Sequence, residues 1–203
     1  MPNQTITLTT DADDGEYDGG GWFVSGFSNL IFVATPERSG WSFALTTSIP
    51  AGAAIVAAYF RVANNGAADS GANTLTLNVE NVDPATNTIW SGTHIPPDAD
   101  TGSIETYNLS EITWADGFYF GQSDTNPLDI TQAIQDLVDT YGGIASGERV
   151  NIWLRETAGT GFPAFEDTSH ASGRDPQLFI DWTDEPAEPA AETLHQVSTN
   201  LRW

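Results

Sequence analysis

Cysteine is absent from the sequence, and so is lysine. Without cysteine the chain has no disulfide, no thiolate nucleophile and no cysteine-ligated zinc. Without lysine, six arginines face 28 acidic residues, which leaves a net charge of −22. Binding along a phosphate backbone depends on clustered cations, so no nucleic acid is expected as a partner, and an anionic membrane surface is excluded on the same ground. Long apolar runs are also missing. No stretch approaches the roughly 20 apolar residues of a membrane span, so no membrane insertion is expected. Met1-Pro-Asn-Gln-Thr-Ile-Thr-Leu8 has neither the basic nor the apolar region of a signal peptide, which predicts a chain outside the secretory pathway.

What is present is a strand-forming sequence. With 203 residues, 39% of them apolar and 11% aromatic, the chain can bury a substantial core in one domain. Its organising stretch is Trp41 to Ala63. Trp41, Phe43 and Leu45 alternate with smaller residues, and so do Val56, Ala58, Phe60 and Val62, the period of two that half-buried strands show. Between these runs, Ser48-Ile-Pro-Ala-Gly52 combines a fixed φ at proline with a glycine free to take φ > 0, so the chain can turn there and cross to another sheet.

Further strands are predicted at Gln4–Thr10 with Ile6 and Leu8 on one face, and within the aromatic-rich segment from Trp22 to Val33. Thr74–Glu80 reads as a strand with Leu75, Leu77 and Val79 inward and Thr74, Thr76, Asn78 and Glu80 outward. Others are expected at Ile104–Leu109 and Ile112–Phe120. Arg149–Glu156 places Val150, Ile152 and Leu154 inward and Trp153 outward, and Gln177–Trp182 closes the domain with Leu178, Ile180 and Trp182 inward. One helix is expected over Asp129–Tyr141, where Ile130, Ile134, Leu137, Val138 and Tyr141 line one face. Asp129 and Gln132 suggest a capping box, and Gly142 a left-handed stop. The expected fold is all-β: an antiparallel β-sandwich (jelly roll) with one short amphipathic helix lying against it. Residues 1–183 form this domain. Residues 184–203 follow as an acidic Pro/Ala linker and a C-terminal arm.

The aromatic strand followed by Ile49-Pro-Ala-Gly-Ala-Ala-Ile55 and an Ala-rich strand resembles the jelly-roll modules called DNRLRE (disaggregatase-related) domains. Leu128-Asp-Ile-Thr-Gln-Ala-Ile-Gln-Asp-Leu-Val138 and the closing segment from Phe165 to Trp182 continue the likeness, which spans most of residues 4–182. It implies a carbohydrate-binding-module-like fold. Its motifs are packing motifs and name a fold better than a ligand.

The candidate sites are few. Asp11, Asp13, Asp14, Glu16 and Asp18 place hard oxygen ligands in what reads as one loop, and calcium takes about six to eight oxygens. A structural calcium is therefore one reading, although the spacing is not that of an EF-hand; no other cofactor is expected. Trp114, Tyr119 and Trp153 could offer stacking surfaces to a sugar ring. His94, His170 and His195 have no metal-ligand spacing, and no nucleophile elbow is present. Glu166, Asp167, Ser169 and His170 crowd one loop, but adjacent carboxylates rarely reach the separation that glycoside hydrolysis needs. No enzymatic activity is expected.

In the tail, Asp184 to Glu192 is acidic and proline-spaced, an extended linker. Beyond it Leu194, Val197, Leu201, Arg202 and Trp203 suggest a docking arm able to reach roughly 65 Å if fully extended. The sequence thus predicts a non-enzymatic structural protein at a virion surface, such as a phage capsid decoration or head or tail protein, contacting other virion proteins or copies of itself. The alternative is a carbohydrate-binding module or adhesin domain for a host or environmental glycan.

Overall fold

A computed structural model describes residues 2–10, 13–17, 21–24, 30–31, 38–64, 73–96, 102–108, 117–119, 128–159, 164–166, 168 and 174–184. The described strands are β1 (Asn3–Thr7), β2 (Asp14–Tyr17), β3 (Trp22–Val24), β4 (Leu30–Ile31), β5 (Arg38–Ala44), β6 (Ile49–Pro50), β7 (Ala54–Asn64), β8 (Asn73–Glu80), β9 (Gly102–Asn108), β10 (Gly117–Tyr119), β11 (Gly143–Ile144), β12 (Arg149–Gly159), β13 (Ala164–Phe165) and β14 (Gln177–Thr183). The helix α1 (Thr131–Tyr141) lies between β10 and β11. Sheet I has the order β1-β14-β7-β13-β4, with β10 also paired to β7, and sheet II has the order β3-β2-β5-β12-β8-β9. A two-stranded ribbon joins β6 to β11, and every pairing is antiparallel. The fold is the all-β sandwich with one short helix that the alternation predicts.

The inward residues of the two sheets meet in one core. Trp41 and Phe43 of sheet II pack on Phe60 of sheet I with ring centroids 4.8 and 6.0 Å apart, and Phe165 stands edge-on to Trp41 at 6.4 Å. Val150, Ile152 and Leu154 on β12, Leu77 and Val79 on β8, and Leu178, Ile180 and Trp182 on β14 are all buried. Full burial of one such side chain contributes about 1.5–3 kcal/mol. At one end Gln4 ties the sheets together. Its Oε1 accepts from the Thr46 and Thr47 amides at 3.0 Å, and its Nε2 donates to the Thr47 carbonyl at 3.1 Å.

The crossing between sheets sits where Pro50 and Gly52 suggest it. Gly52 has φ +77° and the Ala53 amide donates to the Pro50 carbonyl at 3.2 Å, which closes a turn that hands the chain from β5 in sheet II to β7 in sheet I. Gly143 has φ +102°, and a Cβ there would lie 2.6 Å from the Ile49 carbonyl oxygen. Only glycine lets the ribbon strands approach this closely.

The helix buries Ala133, Ile134, Leu137 and Val138, and Gly142 ends it in the left-handed conformation with its amide on the Val138 carbonyl. Its start differs from the expected capping box. The Asp129 carboxylate accepts from the Thr131 amide at 2.8 Å, but Gln132 donates forward to Asp136 at 2.7 Å instead of reaching back. The helix begins at Thr131 because the preceding segment is bound to β7: the Phe60 amide donates to the Leu128 carbonyl and the Ile130 amide to the Ala58 carbonyl. The Thr131 hydroxyl and the Gln135 amide then satisfy the β7 amides of Ala58 and Ile55.

β7 also corrects one inward assignment. Its register with β14 slips between Asp181 and Trp182, where Ala57 and Ile55 are the partners. Val56 is left over at this β-bulge, which reverses the phase of the alternation. Ile55 therefore points inward and is 9% exposed, while Val56 is 49% exposed.

Candidate functional site

The outward residues of sheet I stand in rows set by the strand register. One row is Tyr59 on β7, Phe179 on β14 and Thr5 on β1. The next is Arg61, Gln177 and Thr7, and on the other side come Ala57, Asp181 and Asn3. Asp129 bridges to Tyr59 on the flank of β7 away from Phe179. Tyr59 and Phe179 stack with centroids 6.0 Å apart and planes at 18°. Both are half-buried, and Asn3, Thr5, Thr7 and Asp129 are exposed. Arg61 donates from Nη1 to Gln177 Oε1 at 3.3 Å. The result is a half-buried, stacked aromatic pair with hydrogen-bonding groups in the rows on each side, which offers apolar ring surface and polar partners to a sugar ring. None of the described candidate site residues read from the sequence belongs to it. The available signal was the phase of the alternation, since Phe179 falls between the inward Leu178 and Ile180 just as Tyr59 falls between Ala58 and Phe60.

Part of the outer face of sheet II is covered by the 81–96 connection. Trp153 points away from the inter-sheet core as expected, yet it is 0% exposed because Trp90 from the 81–96 connection stands edge-on to it at 6.0 Å. This corrects its reading as a sugar-stacking surface. Trp90 is itself fixed by a hydrogen bond from Nε1 to the Trp41 carbonyl, 3.3 Å long, and by the His94 ring at 4.6 Å. His94 Nε2 lies 2.9 Å from Glu80 Oε1, and Asn151 Nδ2 donates to Glu80 Oε2, Asn87 Oδ1 and the Thr88 carbonyl at 2.8–3.0 Å. Thr76 and Asn78, expected to be solvated, are buried in the same layer. Arg38 lies under it too, bonded to the Pro96 carbonyl and 4.7 Å from the Tyr17 ring centroid. Burial holds its guanidinium below the ordinary arginine range; nearby Tyr17 raises it and Arg155 lowers it further.

Part of the acidic segment is a strand rather than the expected loop. Asp14–Tyr17 is β2, paired on one side with β3 and on the other with β5. Asp13 binds Arg149 Nη1 at 2.8 Å and accepts from Thr10 at 2.6 Å. Asp14 is fully buried beside Trp41 in the register and accepts from the Thr168 amide at 3.2 Å. Asp13 and Asp14 thus serve the protein itself, Glu16 lies within the strand, and Asp11 and Asp18 are outside the described residues. Among the described residues no three His, Asp or Glu side chains gather as metal ligands.

Glu166 is fully buried and paired with Arg174, whose Nε donates to it at 3.1 Å; Asp167, Ser169 and His170 lie outside the described residues. So do Trp114 and the arm residues Leu194, Val197, Leu201, Arg202 and Trp203. Tyr119 is on β10 opposite Val62. A shallow cleft of about 320 Å³ beside Gly143 is bordered by Asp83 and Glu148, whose carboxylates accept from the Ala85 and Ala145 amides. No described helix is long and apolar enough to cross a membrane. The sequence matches no family model, and no curated protein matches it either.

Proposed function

We propose that this protein is a non-enzymatic binding module that holds a glycan on the outer face of sheet I. The observation that carries this reading is the stacked Tyr59–Phe179 pair, half-buried on the outer face of sheet I and bordered by Thr5, Thr7, Gln177 and Arg61. Stacked rings leave an apolar surface of fixed orientation, so little side-chain entropy is lost when a sugar covers it. The likeness to DNRLRE modules agrees with such a role. The test is affinity electrophoresis through soluble polysaccharides, comparing the wild-type chain with Tyr59→Thr and Phe179→Thr. Each substitution is expected to weaken retention by about 30-fold, the effect of losing roughly 2 kcal/mol at a binding hot spot. Equal retention of wild-type and variants, at unchanged melting temperatures, sinks the reading.

A second reading, a structural protein on a virion surface, is favoured by a different feature. Strand β1 ends sheet I among the described residues, and its outward side chains Asn3, Thr5 and Thr7 are uncharged and exposed. Native edges are commonly protected by charge or proline, and an edge without them can accept a strand from another copy or from a virion protein. In this reading the arm residues Leu194, Val197, Leu201, Arg202 and Trp203 anchor the chain to its neighbour. Deleting residues 186–203 is expected to abolish incorporation into particles while the sandwich keeps its melting temperature. Assembly at the wild-type level by the truncated chain removes the arm from the account.

A further inference from the structure

We infer that a second copy of this chain occupies the β1 edge of sheet I: residues 197–203 of one protomer add as an antiparallel strand beside β1 of its partner, and the exchange is reciprocal. The inference rests on the open edge and the arm of the virion reading and names their partner. The hydrogen bonds of β1 show which groups are open. The Leu8 amide donates to the Pro176 carbonyl at 3.0 Å, and the Trp182 amide to the Pro2 carbonyl at 3.1 Å. Between these two bonds Gln4 lies opposite Ile180 and Ile6 opposite Leu178. In an antiparallel ladder the bonded residues alternate, so Gln4 and Ile6 turn their backbone groups to β14 while Asn3, Thr5 and Thr7 turn theirs away. Three amides and three carbonyls therefore stand in a row along this edge, and among the described residues β1 pairs with β14 alone. No bulge interrupts the row, and Asn3, Thr5 and Thr7 carry no charge to guard it, which leaves a template for strand addition.

The chain itself supplies a matching strand. Val197, Thr199, Leu201 and Trp203 alternate with Ser198, Asn200 and Arg202, a period of two built from residues that favour strands. All 28 acidic residues of the chain precede Thr193, so the segment carries Arg202 to a body of opposite charge. Added beside β1, its apolar row continues the inward row that ends at Ile6, and its polar row continues Asn3, Thr5 and Thr7. β14 is the neighbour of β1 and ends at Thr183. From there Asp184 to Glu192 holds four acids and two prolines, and an extended linker of this kind covers about 3.1 Å per residue, roughly 28 Å in all. β1 spans only five residues, about 17 Å, so the linker carries the strand past its own edge to a neighbour's. Each copy brings both the edge and the strand, and a two-fold pair satisfies both without a third component.

The experiment follows the full-length chain over a range of concentrations by sedimentation velocity and by amide exchange. A dimer fraction that rises with concentration is expected, and exchange at the Asn3, Thr5 and Thr7 amides should slow in step with it. Thr5→Pro removes one outward amide and keeps the bonds to β14, a change that edge strands accept. Ser198→Pro with Thr199→Pro blocks the arm instead, since one of the two meets β1 whichever way the segment faces. Either change is expected to abolish the dimer and to return the remaining edge amides to fast exchange; if Thr5→Pro lowers the melting temperature, the arm variant decides. Slow exchange at these amides in a chain that stays monomeric means that the arm folds back on its own β1, which overturns the second copy as occupant. A monomer with fast-exchanging edge amides, or a dimer that survives both changes, overturns the inference. Particle incorporation by a monomeric chain with an open edge does so as well and leaves the virion reading standing, whereas a dimer of the expected kind that no particle takes up removes the virion reading alone.

Discussion

Trp153 in sheet II and Phe179 in sheet I occupy matching positions, each the outward residue of a strand whose neighbours point into the sandwich. Phe179 lies half-buried against Tyr59 at the surface, whereas Trp153 is as buried as the core. The difference comes from the connections. The 81–96 segment folds over sheet II, with Trp90 against Trp153 and the Glu80, His94 and Asn151 side chains linking it to the strands. Over sheet I, Tyr59 and Phe179 remain partly open. Alternation decides which side of a sheet a residue takes, and the chain that crosses that side decides whether it meets solvent.

The largest effect should come from breaking this contrast at its buried end. Trp153→Ala removes a ring that fills the layer between sheet II and its cover, and should cost about 3–5 kcal/mol. In a protein of this size that lowers the melting temperature by roughly 6–20 °C. Phe179→Thr, on the open face, should cost less than about 1 kcal/mol, since threonine suits a strand and part of the ring already meets water. Similar melting temperatures for the two variants would mean that the faces are equally covered.

A smaller effect probes the cover itself. Asn151 Nδ2 holds Glu80, Asn87 and Thr88, and Asn151→Leu leaves these acceptors without that donor at a cost of about 1–3 kcal/mol. Loosening the cover should also raise amide exchange at Trp90 and His94 while exchange on β7 and β14 stays unchanged. Uniform acceleration over both sheets would show that the cover is not a separate layer.

Much of the fold was legible because most of its strands are local patterns. The alternation of β12 and β14, the 3.6-residue period of α1, Gly142 and the Pro50–Gly52 crossing each depend on residues near one another in the chain. What escaped depends on partners far away. β2 has no apolar alternation, since Asp14, Gly15 and Glu16 are drawn into sheet II by β3 and β5, so it read as a solvated acidic loop. The Tyr59–Phe179 pair exists only because β7 and β14 align in one register. Trp153 showed its outward side, but nothing near it in sequence announces Trp90 as its cover. Of the site residues read from the sequence, Trp153 is enclosed, Asp13 and Asp14 serve internal contacts, and the arm lies beyond the described chain.

The smallest effect concerns the bulge on β7. Val56 is the residue that β14 skips, and it is 49% exposed, whereas its neighbour Ile55 is 9% exposed and packs inward opposite Trp182. Simple alternation with Ala58, Phe60 and Val62 makes Val56 the core residue and Ile55 the exposed one, so the two positions discriminate between a phase that runs straight and one that the bulge resets. Val56→Thr keeps a branched side chain in a strand and adds a hydroxyl that water can reach, so its effect should stay within about 0.5 kcal/mol. Ile55→Thr places a hydroxyl in the core beside Trp182 and removes a buried methyl, a change worth about 1–3 kcal/mol. Urea unfolding of the two variants reads both costs on one scale. A larger loss at Val56 than at Ile55 would place the bulge elsewhere on β7, and would shift the outward row that holds Tyr59 and Arg61 with it.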